Sequence, residues 1–518
     1  MSQIKVHGFI NTFSCFFHSL FAEEKLKSEE KFYIPPATIL ILIVILAIVT
    51  RIIFFTGLVF SDDGYYSQLG YMMLKKENVA NILGYPIFIL RKLDIMFTAA
   101  SFAIFGTNEI ASVIPVFLFS IGNIIIIYFI GLELSLKKST ALLSSLLLCF
   151  FPVDVFFASV HFTDLSASFF INTGIFFLLK SYRNNRIAPA FYGGIFITLA
   201  LFLKESVLYI LILMFFIWIW FLVFKRKNII QIPIAFFVFA GGMSLESIYY
   251  YFSQGDFLYR FTMQHRNYLY CSYDFFPYTK DLSSIPPSVY LKKLVKYIFS
   301  ENTRYIFFRR YYLFTPLIAS VQSFILWKKG KNIMLLVWFV GIIILVAGFT
   351  ASFSAWRPSE MKKSWYVYIY LEPTILMTAL FVNSLRKRYK IAAVTIYIIG
   401  CVLMVNSYST FFGMKDNNDV KKIILKNNSK VIYTDHFYKY NLDVLLKYKD
   451  TAQIRIFTGR NFDPGIIKSG EWVLIKDATI SELKQQGYEF IDLSFVKSKR
   501  FNLVFNDTIV KIYEKLPL

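Results

Sequence analysis

The sequence is poor in the residues that staple small domains or build metal sites. It has four cysteines in 518 residues, Cys15, Cys149, Cys271 and Cys401. Two lie in apolar runs, and no spacing matches a disulfide framework or a zinc site. No glycine-rich phosphate loop occurs. A basic leader is also missing. Phe9 to Phe21 is apolar but broken by Asn11, Thr12, Ser14 and His18, which predicts a short interfacial helix rather than a cleavable signal. Acids are scarce, 33 against 55 Lys and Arg, for a net charge of +22. In a soluble chain that excess would point to nucleic acid. Here much of it sits in short loops between apolar runs, where it sets topology, so no nucleic-acid partner is expected.

What the chain has is apolar length. It is 56% hydrophobic and 19% aromatic, with a mean hydropathy of +0.54. Stretches near the roughly 17–25 residues that cross a bilayer recur at Thr38–Val59, Ala111–Leu132, Thr140–Phe157, Leu165–Tyr182, Ala188–Leu203, Ser206–Phe224, Ile229–Tyr250, Tyr311–Leu326, Ile333–Thr350, Tyr366–Leu385 and Ile391–Phe411. The expected fold is a polytopic α-helical membrane protein with membrane lipids as its solvent. Ile87 to Phe105, with Arg91, Lys92 and Asp94 at one end, reads as an interfacial helix rather than a crossing.

With the N-terminus cytoplasmic, every second loop is basic: Lys137-Lys138, Arg183 with Arg186, Lys225-Arg226-Lys227, Lys328-Lys329 with Lys331, and Arg386-Lys387-Arg388 with Lys390. The alternation places the other loops outside, including 59–110, 251–310 and everything after residue 411. The expected organisation is a cytoplasmic or interfacial segment 1–37, a membrane domain 38–411 and an extracytoplasmic domain 412–518. In the last, short β-type runs at Val431–Tyr433, Ile454–Phe457 and Trp472–Ile475 alternate with helix-like stretches at Tyr440–Tyr448 and Ser481–Gln486. That pattern predicts a small α/β domain, read as a structural or acceptor-positioning appendage.

The chemistry is sought at the predicted outer surface. Asp62 and Asp63, in Ser61-Asp62-Asp63-Gly64-Tyr65-Tyr66, follow the first span by a few residues. Asp-Gly also favours a plain turn, but acids at membrane depth are functional by default. Both are candidate catalytic residues. Asp164 opens a span and is equally a good helix cap; His161 lies three residues earlier, so the two are candidate ligands of one ion. Arg51, inside the first span, either snorkels or faces a lipid phosphate. Lys204-Glu205 reads as a hairpin tip. Lys362-Lys363, near Arg357, breaks the positive-inside pattern, as an outward phosphate-binding group would.

These motifs, in this order, resemble the GT-C glycosyltransferases, in particular the family-39-like group that includes protein mannosyltransferases and lipid A aminoarabinose transferases. Asp62-Asp63-Gly64-Tyr65-Tyr66 is similar to that group's Asp-Glu-x-x-Tyr in the first outer loop. Phe105-Gly106-Thr107-Asn108-Glu109 resembles its Phe-Gly-x-x-Glu, Leu203-Lys204-Glu205 its Thr-Lys-Glu, and Asp164 its second-loop acid. The likeness runs from about Arg51 to Tyr250, with an echo from Trp365-Tyr366 to Pro373. The second acid is Asp rather than Glu, Gly84-Tyr85-Pro86 replaces a His-Pro-Pro segment, and Trp365-Tyr366 replaces Arg-Tyr. These departures bear on donor and acceptor more than on reaction class.

The resemblance implies a sugar donor linked to polyprenyl phosphate in the outer leaflet of the plasma membrane and a lipid, glycan or protein acceptor. Phosphate leaves readily, so the chemistry needs a base for the acceptor hydroxyl, here Asp62, and cations for the leaving group. The candidate phosphate-binding residues are Arg51, Lys204, Lys362 and Lys363, with Tyr66 at the motif's Tyr position. Direct attack would invert the anomeric carbon. A divalent ion on Asp164 and His161 is the one candidate cofactor. The alternatives are a polysaccharide polymerase or ligase using the basic loop 251–310, a lipid-sugar flippase or transporter, and a non-catalytic scaffold.

Overall fold

A computed structural model describes residues 34–82, 86–224, 229–271, 287–348, 361, 364–411, 414–427, 430–449, 454–456, 463–476, 496, 498–506 and 510–517. The expected N-terminal interfacial helix, Lys362, Lys363, Gly84-Tyr85 and Ser481–Gln486 lie outside these residues.

A helix stands at each of the eleven apolar stretches. Five are long and apolar enough to cross a membrane: Pro36–Ile53, Glu109–Glu133, Val207–Phe224, Gln231–Gln254 and Lys387–Ser409. Shorter apolar helices run over Lys138–Phe150, Ile187–Leu201 and Ile333–Gly348. The chain is a multi-pass helical membrane protein. Pro36 starts the first helix, where its missing N–H would have no partner anyway. The Asn108 side chain caps Glu109–Glu133 by accepting from Ala111 N at 2.9 Å. Glu109–Glu133 is the most enclosed of the five, while Ile41, Ile45, Ile52 and their like on the first helix stay exposed, as lipid-facing residues do.

Two helices fill the segment between the first span and Glu109. They are Asp62–Leu74 and Lys92–Phe105. The second has 14 residues and so rises only about 21 Å, less than the roughly 30 Å hydrocarbon core.

The C-terminal residues form a five-stranded mixed sheet. Its strands are β1 (Ile432–Thr434), β2 (Ile454–Ile456), β3 (Trp472–Lys476), β4 (Phe501–Asn506) and β5 (Val510–Lys515), in the spatial order β2-β1-β3-β5-β4. β1 is parallel to both β2 and β3, and β5 is antiparallel to β3 and β4. The three expected runs are β1, β2 and β3. The β4–β5 hairpin adds two strands to the three expected runs; β4 is mostly apolar, while β5 carries Lys511, Glu514 and Lys515. Helix His436–Leu445, between β1 and β2, packs directly on helix Asp62–Leu74. The small domain therefore takes part in the wall of the first loop rather than hanging from the bundle.

Candidate active site

The turn before helix Asp62–Leu74 is closed by its own acid. Asp63 is fully buried; its Oδ2 accepts from Val59 N and its Oδ1 from Ser61 N, both at 2.7 Å. Burial pushes the Asp63 carboxyl above the usual range, with the two amides pulling it back down. A carboxylate spent on two backbone amides holds the loop. Phe60, just before, takes a left-handed φ of 55° and buries its ring against Tyr438 at 5.2 Å. Asp62 remains half-exposed at the start of the helix. Tyr66 follows it by one helical turn and so shares its face.

Around that face lies a set of buried charges. The Arg91 guanidinium stacks over the Tyr66 ring at 5.2 Å and the Phe88 ring at 5.0 Å. Arg91 is 7% exposed, yet its Nε and Nη1 have no hydrogen-bond partner among the described residues. Lys204 donates to Asp164 Oδ2 at 3.0 Å. Burial, then the Arg91 charge, lowers Lys204 from the usual lysine range, while Asp164 and Glu205 raise it. Glu205 is pushed up by burial but pulled further down by Arg91, Arg260 and Lys204. Arg260 makes a paired contact with Glu246, 2.7 Å at each oxygen, and reaches Glu205 at 3.3 Å and Leu90 O at 2.9 Å. Loop 251–310 thus contributes at least one cation to the same neighbourhood.

His161 ties three elements together. Its Nδ1 lies 3.2 Å from Ser67 Oγ on helix Asp62–Leu74. Its Nε2 lies 3.1 Å from both Asp94 Oδ2 and Thr98 Oγ1 on helix Lys92–Phe105. Tyr66 Oη approaches Thr163 Oγ1 at 3.5 Å. Both ring nitrogens of His161 are engaged, and Asp164 is held by Lys204. No group of three His, Cys, Asp or Glu side chains among the described residues could hold a metal. An ion shared by His161 and Asp164 would have to displace these bonds.

The C-terminal domain grips the acidic loop from the other side. Asn441 Nδ2 donates to Ser61 O at 3.3 Å and Asn417 Nδ2 to Val59 O at 3.0 Å. Lys421 pairs with Glu109 at 2.6 Å, and Glu109 Oε1 in turn accepts from Leu58 N at 2.6 Å. Tyr440 meets Tyr65 edge-on at 5.0 Å, and Tyr448 stacks on Tyr71 at 3.7 Å. Gly64 permits this approach: a Cβ there would stand 2.3 Å from Asn441 Nδ2 and 2.9 Å from its backbone N.

Of the residues singled out in the sequence, the structure brings Tyr66, His161, Asp164 and Lys204 together beside Asp62 and Asp63. Arg51 is elsewhere. Fully buried, it pairs with Asp154 Oδ2 at 2.5 Å and donates to Ser120 Oγ at 2.7 Å, Cys149 O at 3.0 Å and Ala47 O at 3.3 Å. This corrects the expectation of a phosphate-facing or snorkelling arginine, because a guanidinium with four internal partners has been neutralised inside the bundle. Polar groups also reach into the bundle at Glu372, which accepts from Ser168 Oγ at 2.8 Å, and at Asn172, which donates to Asn123 Oδ1 at 3.0 Å. Sequence reasoning passed over Arg91, Asp94 and Asn441 as site members, and reached Arg260 only as part of the basic loop 251–310. Arg91 and Asp94 gave one usable signal, charges at the end of an apolar 14-residue helix.

Solved structures with this architecture exist. ArnT from Cupriavidus metallidurans, bound to undecaprenyl phosphate, aligns with a TM-score of 0.54 at 12% identity over 91% of this chain and 97% of its own. The Archaeoglobus fulgidus oligosaccharyltransferase tethered to an acceptor peptide aligns with a TM-score of 0.51 at 11% identity over 87% of this chain and 70% of its own. Its apo form gives 0.51 at 11% over 92% and 73%. No protein-family model and no curated protein matches the chain. The chain shares the fold of these structures, and in it a small mixed α/β domain sits on the first loop of a helical membrane domain.

Proposed function

We propose that this protein is a membrane glycosyltransferase that moves a sugar from a polyprenyl-phosphate donor to an acceptor hydroxyl at the extracytoplasmic face of the plasma membrane. The observation that carries this reading is a buried guanidinium, Arg91, stacked on Tyr66 one helical turn after Asp62, with its Nε and Nη1 lacking hydrogen-bond partners among the described residues. Unfilled buried donors are costly and are retained where an anion completes them. The likenesses with TM-scores above 0.5 support it, one being to a protein bound to undecaprenyl phosphate and another to one tethered to an acceptor peptide.

In this reading Asp62 takes the proton of the acceptor hydroxyl as its oxygen bonds to C1 of the sugar. The bond from C1 to the phosphate oxygen breaks, and the phosphate leaves with the electron pair and a negative charge. Arg91 holds that charge through its two open N–H groups, and Lys204 through the protons not given to Asp164. Attack opposite the leaving group inverts C1. Asp63 and His161 hold these groups in place without touching the reacting atoms.

Purified protein in micelles should transfer sugar from a polyprenyl-phosphate donor and ignore soluble nucleotide sugars. Equal use of a nucleotide sugar would remove the reading. Sugar stranded as free lipid across a vesicle, with no covalent product, would replace it with transport.

A further inference from the structure

A second cavity lies far from Asp62. It encloses about 710 Å³, its open mouth included, and its wall is apolar except for Gln231 and the polar tips of Tyr182 and Trp338. Helices Glu109–Glu133 and Thr163–Asn184 both begin beside the candidate site, at Glu109 and Asp164, and the cavity meets their other ends at Leu134 and Tyr182. Helices of 25 and 22 residues rise roughly 37 and 33 Å, so the cavity opens at the opposite end of the bundle.

The charges at that end are mostly positive; the acid Glu133 is there too, 3.5 Å from Arg183 Nη1. Among the described residues, three turns that bring helices to the cavity carry cations. Leu134 precedes Lys137-Lys138, Tyr182 precedes Arg183 and Arg186, and Met334 follows Lys328, Lys329 and Lys331. Lys137, Lys138, Arg183, Arg186 and Lys328 are all exposed. In a chain with membrane-spanning helices, so apolar a wall matches lipid acyl chains. Trp338, 7% exposed in that wall, has an Nε1 with no hydrogen-bond partner among the described residues.

We propose that this cavity is a binding site for an anionic phospholipid of the leaflet opposite the reaction site, its acyl chain lying along Ile175, Leu179, Leu213 and Ile217 and its headgroup among the cationic turns. An apolar slot ringed by Lys and Arg selects against neutral lipids by charge and against soluble anions by its wall. The site is independent of the transfer reaction. Its occupant wedges between helices Thr163–Asn184, Val207–Phe224 and Ile333–Gly348 where they would otherwise leave a void.

The test is native mass spectrometry of the full chain released from vesicles of equal phosphatidylglycerol and phosphatidylcholine. The wild type should keep phosphatidylglycerol. Ile217→Trp, which fills the cavity, should lose it while sugar transfer and helical content stay normal. Lys137→Ser with Lys138→Ser changes only exposed residues. Each cation near an anionic headgroup is worth about fivefold, so the pair should weaken retention roughly 30-fold. Retention of phosphatidylcholine equal to phosphatidylglycerol, or wild-type retention in the lysine pair, would overturn the proposal. So would wild-type retention in a folded Ile217→Trp.

Discussion

Arg51 and Arg91 are both buried arginines beside the first loop's span and helices, and they are opposites. Arg51 is 0% exposed and pairs with Asp154 and three further acceptors. Arg91 is 7% exposed and keeps Nε and Nη1 open among the described residues. The same contrast separates the neighbouring acids. Asp63 is closed on two amides, while Asp62 stands half-exposed at the helix start. Burial alone does not mark a functional charge. What marks it is bonding capacity that the protein has paid to bury and then left for something else.

The largest effect expected from this contrast is at the acids. Asp62→Asn keeps the shape but cannot take a proton, so turnover should fall roughly 10²–10⁴-fold at unchanged donor binding. Asp63→Asn should instead lower thermal stability, since its amide nitrogen cannot accept from Val59 N or Ser61 N. Full activity in Asp62→Asn would move the base elsewhere.

At the arginines the readouts should swap. Arg51→Met leaves Asp154 as an uncompensated buried charge and should cost about 3–5 kcal/mol in reversible unfolding from mixed micelles. Arg51→Met with Asp154→Leu should recover most of that loss, and a pair no better than the single variant would break the assignment. Arg91→Gln should slow transfer by roughly 10²–10³-fold and weaken donor binding while stability holds, because no internal acceptor loses its donor.

A smaller effect is expected where the domains meet. Gly64→Ala sets a methyl group 2.3 Å from Asn441 Nδ2 and should cost about 1–3 kcal/mol by thermal unfolding. Asn441→Ala in the same chain should restore part of it, since the backbone N at 2.9 Å stays.

Lys92 sits between the two arginines in character and should give the smallest signal. Its Nζ lies over the Tyr249 and Tyr250 rings at 3.7 and 3.9 Å, with Glu246 at 4.0 Å. Burial lowers it to about 8 from 10.5, against the pull of Glu246. The unfolded chain then binds more protons between these values, so stability should rise as pH climbs from about 8 to 10.5. Lys92→Met should flatten that rise relative to wild type. An identical pH profile in the variant would mean that Lys92 keeps its solution behaviour.

The helical membrane class was legible because apolar length near a bilayer's thickness and alternating basic loops are local properties of the chain. So were Asp62, Tyr66, Asp164 and Lys204 as a group, since each falls at the same end of a span. Strands β1, β2 and β3 were legible too, whereas the β4–β5 hairpin, whose β5 mixes Val510 and Ile512 with Lys511, Glu514 and Lys515, was not. Tertiary structure alone decided which charge meets which. Arg51 and Asp154 are 103 residues apart in the chain, and His161 finds Asp94 across 67. Asn441 reaches Ser61 across 380. Such pairings depend on how helices pack, and a linear pattern records only which residues are polar. For the same reason the sequence could place two acids in one loop, yet only the fold could close Asp63 on its own backbone and stack Arg91 on Tyr66.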